Sequence, residues 1–310
     1  MAGTVTHSYF AMDVYDKIGN KKIDNYLDNY RTFAQGHDIF SFSNRRSHYY
    51  HDHKTQDFFI NMINYIKDNE LYNNDELLSF LYGYICHYTL DKNIHPYVTY
   101  KGGKYDKKNK ATKKYKCKHS DIETYIDSYM IKKKDNIEPG KLKVHLFCCN
   151  ANKFSKELND LIDYTFKKTY NADNISKTYY KGIKHMKFLY RLLRYDRFKI
   201  KKTMYSIVDK ITPKYAYKFS PISFAYNKNK DYYLNLEHKT WNHPIYKDEK
   251  YNTSVLDIYD DSVIEASSII NKVTDYFNNK KVDLKKVFDN SSFATGKDCN
   301  LKLKPKYYEY

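Results

Sequence analysis

The stretch His87-Tyr88-Thr89-Leu90-Asp91-Lys92-Asn93-Ile94-His95-Pro96 places His, Asp and His at i, i+4 and i+8. On an α-helix each four-residue step turns by about 40° and rises by about 6 Å, so the three side chains share one face. Imidazole nitrogens and carboxylate oxygens in such a row are zinc-type ligands, and the rise suits a polynuclear site rather than a single ion. The central Asp91 carries two oxygens and can bridge two metals.

Working outward, Leu77, Phe80, Tyr84 and Tyr88 fall near the same face, which turns the ligands toward the core. Burying His and Asp without partners is costly, and coordination removes that cost. Asn74 or Asp75 is the expected N-cap of this long helix. Pro96 disfavours helical backbone at His95, so the helix is expected to end there.

A second His/carboxylate pair at i, i+4 follows in His119-Ser120-Asp121-Ile122-Glu123. Upstream stand three more candidates: His7, Asp38 in Gly36-His37-Asp38-Ile39-Phe40, and His51, which competes with His48 and His53. Singly, each has an ordinary reading: a buried terminal His, a turn residue, a surface loop, a helix-face pair. Two spaced pairs and three further candidates within the first 123 residues are better explained by a metal site.

Bulk composition sets the frame. The chain has 310 residues, 41% of them hydrophobic, enough for a substantial core. Its net charge of +17 invites a nucleic-acid or anionic-membrane partner. Lys, Asn, Tyr and Ile share AT-rich codons, so part of that excess can come from genome composition. The 36 Tyr read as amphipathic core and rim material. The five cysteines show no C-x-x-C pair and read as small buried hydrophobes in a reducing compartment. No signal-peptide pattern and no apolar run of about 18 residues is seen, so a cytoplasmic protein is expected, with peripheral membrane association open.

Helical periodicity dominates: 7–18, 22–34, 54–68, 74–94, 120–133, 153–169, 173–195, 198–211 and 255–278. Residues 101–118 form a basic loop with nine Lys and two Gly, and 212–253, with three Pro, reads as a long connection. The expected class is all-α, arranged as one domain over 1–310. Within it, 1–135 bears the ligands, 150–290 adds packed helices and 291–310 is a tail.

These residues resemble the zinc-dependent phospholipase C family, which shares its fold with the S1/P1 nucleases. The landmarks are Thr6-His7, Gly36-His37-Asp38-Ile39-Phe40, His51 ahead of Phe58-Phe59, Cys86 through Pro96, and His119 through Glu123, with a looser match around Leu234-Asn235-Leu236, Trp241 and Pro244. The resemblance implies an all-α domain holding two to three zinc ions at the bottom of a cleft. Asp38, His51, His87 and Asp91 would hold one zinc, His95, His119 and Glu123 a second, and His7 with the bridging Asp91 the third. In the family a mature N-terminal Trp completes the third zinc. Here the sequence opens Met-Ala-Gly-Thr-Val-Thr and its one Trp is Trp241, so that zinc is expected to be weak, absent or completed by backbone near Thr6.

The implied reaction is phosphodiester hydrolysis by a zinc-activated water, with Asp38 as the residue that orients or deprotonates it. A phospholipid or related phosphodiester is the first expected substrate. A nuclease or nucleotide phosphodiesterase is the alternative, with Phe40, Phe42, Tyr49 and Tyr50 as possible base-stacking rings and the loop 101–118 as a contact for nucleic acid or an anionic membrane. A catalytically silent, zinc-stabilised binding protein is the third reading. His37 is placed behind Asp38 in the second layer of the site. His145, His185, His238 and His243 read as surface or core residues.

Overall fold

The computed structural model describes residues 3–19, 21–43, 46–212, 219, 224 and 228–309 and is 67% helical. The helices are α1 (Thr4–Ile18), α2 (Leu27–Phe33), α3 (Ser47–His51), α4 (Thr55–Asp68), α5 (Asp75–Gly102), α6 (Lys118–Asp135), α7 (Val144–Phe147), α8 (Lys156–Tyr170), α9 (Ile175–Leu193), α10 (Ile200–Ile211), α11 (Val255–Phe277) and α12 (Leu284–Val287). The class is all-α. The described strands are two-residue pieces, β1 (Trp241–Asn242) and β2 (Lys250–Tyr251), paired antiparallel with Trp241 opposite Tyr251.

The central element is α5. Asn74 caps it by accepting hydrogen bonds from the backbone N–H groups of Glu76 and Leu77 at 3.1 and 3.2 Å. Its flanks pack against α1, α2, α6 and α11, while α4, α8 and α9 pack in series beside it. Leu77, Phe80, Leu81, Tyr84, Ile85 and Tyr88 are all fully buried. A helix covered all round belongs in the middle of a bundle. The buried tyrosines fit the amphipathic reading: the Tyr30 hydroxyl meets Cys86 Sγ at 3.1 Å, and the Tyr88 hydroxyl bonds Asp289.

The helix does not stop at His95. It runs 28 residues, with Pro96 inside it. Proline removes one N–H and leaves the carbonyl four residues back without its helical donor. That carbonyl belongs to Lys92, and the turn at Gly296 sits against it. A Cβ on Gly296 would lie 2.6 Å from Lys92 O, and its φ of +64° is open to glycine at little cost. The Gly296 N–H itself donates to Ser292 O at 2.8 Å, so the helix runs through Pro96 with this turn in close contact with the Lys92 carbonyl.

Other departures are smaller. The helix expected over 22–34 divides into a 3-10 turn, Lys21–Tyr26, and α2. Within 212–253, the described residues hold a 3-10 turn, Lys228–Leu234, and the β1–β2 pair; 213–218, 220–223 and 225–227 lie outside the described residues. The stretch 291–309 is tied to the body rather than trailing from it. Phe293 is fully buried, Thr55 Oγ1 donates to Ser291 O at 2.9 Å, and Glu309 N donates to Tyr100 O at 2.9 Å.

All five cysteines are unbridged. Four are buried, and burial pushes the Cys86 and Cys148 thiols up to about 12, which leaves them inert packing groups.

Candidate metal centre

The tight 3-10 turn Gly36–Phe42 presents Asp38. Gly36 stands at φ +45°, and a Cβ there would lie 1.9 Å from His87 Cδ2. Only glycine lets the turn approach the long helix this closely. Across from it, α1 carries His7 one turn in. The start of α1 is anchored by Asp127 of α6, whose Oδ1 accepts from Thr6 N at 2.8 Å and Thr6 Oγ1 at 2.7 Å. The backbone amide of Thr6 is thereby turned to Asp127 rather than to the cluster.

His51 ends α3. Its Nδ1 lies 2.6 Å from Ser47 O. A carbonyl can only accept, so Nδ1 carries the proton and Nε2 offers its lone pair in the neutral ring. That Nε2 lies 3.1 Å from Asp38 Oδ1 and 3.3 Å from His87 Nε2. Asp91 stands at the crossing point: Oδ1 is 3.0 Å from His7 Nε2, and Oδ2 is 3.5 Å from His87 Nε2 and 3.7 Å from His51 Nε2.

The second group begins one turn further along α5. His95 Nδ1 donates to Phe293 O at 2.8 Å, which leaves Nε2 facing Glu123 Oε1 at 3.7 Å. Glu123 Oε1 in turn lies 2.8 Å from His119 Nε2. His95 Nδ1 is 3.7 Å from Asp91 Oδ2, so the two groups adjoin through Asp91.

All eight candidates therefore meet. His7, Asp38, His87 and Asp91 offer donor atoms within 4.8 Å of one another, with His51 in contact, and His95, His119 and Glu123 form a second such group. The competing His48 and His53 stay outside: His48 is exposed, and His53 stacks on Tyr49 and donates to Tyr49 O at 2.9 Å.

The donor set fits zinc. His51 Nε2 and Asp38 Oδ1 face each other as two acceptors, and His95 Nε2 and Glu123 Oε1 do the same. Facing lone pairs repel unless a cation or a proton lies between them. Without a metal, protons fill part of that need. Burial disfavours charge on His51, yet Asp38 and Asp91 beside it push its pKa up. Burial would raise the Asp91 carboxyl, but His95, His87 and His7 hold it well below the usual carboxylate range. His87, with fewer compensating contacts, is driven well below the ordinary histidine value by burial.

Exposure is uneven. The His119 side chain is 41% exposed, against 12% or less for the other seven. The cluster opens to solvent on the α6 side.

His37 is fully buried among Phe58, Tyr84, Phe40, Tyr50 and Phe293, with neither ring nitrogen hydrogen-bonded. The rings expected as a base-stacking slot mostly serve the core. Phe40 and Tyr50 are buried against Phe166, and Phe42 packs on Tyr190. Tyr49 is exposed but stacked on His53. In the basic loop, Lys101 and Lys118 pair with Glu309, and a 3-10 turn spans Lys110–Tyr115. Of the remaining histidines, His243 is buried and bonded to Thr295 O and Ile245 N, His145 is buried, and His185 bonds Phe42 O. His238 is exposed and bonds Asn252 O.

Two contributors escape sequence reasoning, because they act through their carbonyls. Ser47 O and Phe293 O fix which nitrogen of His51 and His95 faces the cluster, the usual service of a carbonyl behind a ligating imidazole. Ser47 lies at i−4 from His51 and helical spacing would have found it. Phe293, 198 residues from His95, left no local signal.

The fold and site define an all-α protein whose buried His/Asp/Glu cluster, built around the central helix, could hold metal. Comparison with known families gives the assignment: zinc-dependent phospholipase C matches residues 6–180, more than half of the chain, and the chain belongs to that family. No curated protein and no solved structure gave a match. No helix among the described residues is long and apolar enough to cross a membrane.

Proposed function

We propose that this chain is a zinc-dependent phosphodiester hydrolase acting on a phospholipid or a closely related phosphodiester. The observation that carries the reading is the pair of adjoining ligand groups that meet at Asp91. Asp38, His51, His87 and Asp91 would hold one zinc, His95, His119 and Glu123 a second, and His7 with Asp91 would contribute to a third position. Zinc bound there supplies Lewis-acid polarisation of the phosphoryl oxygens and a bound water acidic enough to act near neutral pH.

The chain's own residues do the rest. Asp38, whose Oδ1 faces His51 Nε2 at 3.1 Å, would orient the attacking water and take its proton. The carbonyls of Ser47 and Phe293 hold His51 and His95 in one tautomer throughout. Substrate arrives from the His119 side, where the cluster is open.

The test is a side-by-side assay on phosphatidylcholine vesicles, single-stranded DNA and a generic aryl phosphodiester, with and without chelator. Chelator-sensitive turnover of the lipid and the aryl diester supports the reading. Turnover of DNA alone transfers it to a nuclease, and no turnover of any substrate leaves a zinc-stabilised binding protein. Metal analysis is expected to find two to three zinc per chain; zero or one overturns the cluster.

A further inference from the structure

The α9–α10 elbow departs from the pattern of the rest of the surface. Helix α10 has Tyr205 as its one buried residue. Ile200, Met204, Ile207 and Ile211 recur at steps of four, three and four, within an arc of about 60° on one face. They are 67, 49, 55 and 79% exposed. Phe188 and Leu192 on α9 and Phe198 in the link are also more than half exposed. Scattered apolar residues on a surface need no explanation, but a contiguous ridge on an amphipathic helix does.

The charge around this ridge is as lopsided as its hydrophobicity. Residues 181–211 hold ten Lys and Arg against two Asp, a net +8 in a tenth of the chain that carries +17 overall. Apolar side chains on one face with cations on the flanks suit an anionic lipid surface: the apolar residues enter the acyl boundary and the cations meet the headgroups. The basic loop 101–118 lacks the first half of this pairing, since no exposed large hydrophobic residue occurs in it.

The elbow is fastened rather than loose. Lys201 Nζ donates to Tyr195 O at 2.7 Å, Tyr205 Oη to Leu193 O at 2.9 Å, and Lys202 N to Asp196 Oδ2 at 2.8 Å. Helix α9 also braces the turn that presents Asp38: His185 Nδ1 donates to Phe42 O at 3.0 Å, and a Cβ on Gly182 would lie 2.6 Å from Ile39 O. Helix α9 therefore carries the exposed Phe188 and Leu192 and also supports the turn that presents Asp38.

We infer that the α9–α10 elbow is a membrane-docking element that seats the protein on an anionic bilayer. The inference stands on this surface and does not require the hydrolase reading, and binding and turnover are read separately. It places a phospholipid substrate within reach of a protein already on its membrane.

The test is co-sedimentation of the full chain with vesicles of phosphatidylcholine alone or with about one-third phosphatidylglycerol. The variants are Ile207→Ser/Ile211→Ser and, separately, Arg197→Glu/Lys210→Glu. Wild type is expected to bind the anionic vesicles at least tenfold more tightly than the neutral ones, and to weaken in high salt. Each double variant is expected to lose at least tenfold in binding with an unchanged melting temperature and unchanged hydrolysis of a soluble aryl phosphodiester. Absence of wild-type binding to anionic vesicles overturns the inference, as does unchanged binding by both variants. A melting temperature lowered in Ile207→Ser/Ile211→Ser shows the ridge to be covered by the protein's own chain. A concentration-dependent dimer abolished by that variant makes the ridge an interface between copies, and both results overturn membrane docking.

Discussion

His95 Nδ1 donates to the carbonyl of Phe293 at 2.8 Å, across 198 residues of sequence. The same residue's N–H donates to His51 O at 3.0 Å, and its ring lies 5.4 Å from that of His87 and 5.1 Å from that of His51. One residue near the end of the chain thus holds the backbone of one ligand group and orients the imidazole of the other. Phe293→Ala is expected to cost about 3–5 kcal/mol in stability, from the cavity left by a fully buried ring. The loosened carbonyl is expected to weaken zinc binding about 10- to 100-fold. Urea unfolding in chelator reads the first effect and competition with a chromophoric chelator the second. Wild-type zinc affinity in this variant rejects the orienting role.

Asp91 is the residue whose two oxygens reach His7 on one side and His87, His51 and His95 on the other. Asp38 pairs with His51 at 3.1 Å. If Asp91 bridges, Asp91→Asn removes more bound zinc than Asp38→Asn. Zinc bound at a thousandfold excess over its dissociation constant adds about 4 kcal/mol to stability, so the loss is also visible as a lower melting temperature in zinc buffer. Metal analysis after dialysis decides it, and equal loss from both variants argues against a bridge.

Gly36→Ala tests the close approach of the Asp38 turn to α5. The new methyl would meet His87 Cδ2 at 1.9 Å, in a backbone conformation that alanine resists by about 1 kcal/mol. Either the turn or the imidazole has to shift. The expected result is a loss of more than 2 kcal/mol in chelator and a lowered zinc content, whereas Gly19→Ala, with nothing within 4 Å of its added Cβ, keeps its zinc. Unchanged zinc in Gly36→Ala shows that the site tolerates a wider spacing.

The legibility of this molecule in its sequence follows the range of the interactions. The central helix and the meeting of His87, Asp91 and His95 are readable because both depend on spacings of four. Asn74 as the cap is readable for the same local reason. Pro96 misleads, because the helix runs on through it to Gly102, with Gly296 close against the Lys92 carbonyl. Phe293 is invisible, since a main-chain carbonyl leaves no mark on residue type. The aromatic residues near Asp38 are visible as rings, but the sequence does not say whether a ring lines a cleft or fills a core, and Phe40 and Tyr50 fill the core.

His37 contributes to the acid response of the metal-free fold, in the same sense as His87. Its ring is enclosed by Phe58, Tyr84, Phe166 and Tyr50, and burial holds its pKa well below the ordinary histidine value. In the unfolded chain the same imidazole titrates near 6.5. Below that pH the unfolded state takes up a proton that the folded state refuses, so stability falls as pH drops through the unfolded value. His51 acts in the opposite sense, because its carboxylate neighbours raise its pKa in the fold. The two must be separated by mutation. His37→Phe replaces the neutral ring with an apolar one of similar size and removes the titrating group. Measured in chelator, its melting temperature is expected to fall less steeply between pH 7 and pH 5 than that of wild type. Parallel curves for the two proteins over that window would show that His37 takes up its proton within the fold.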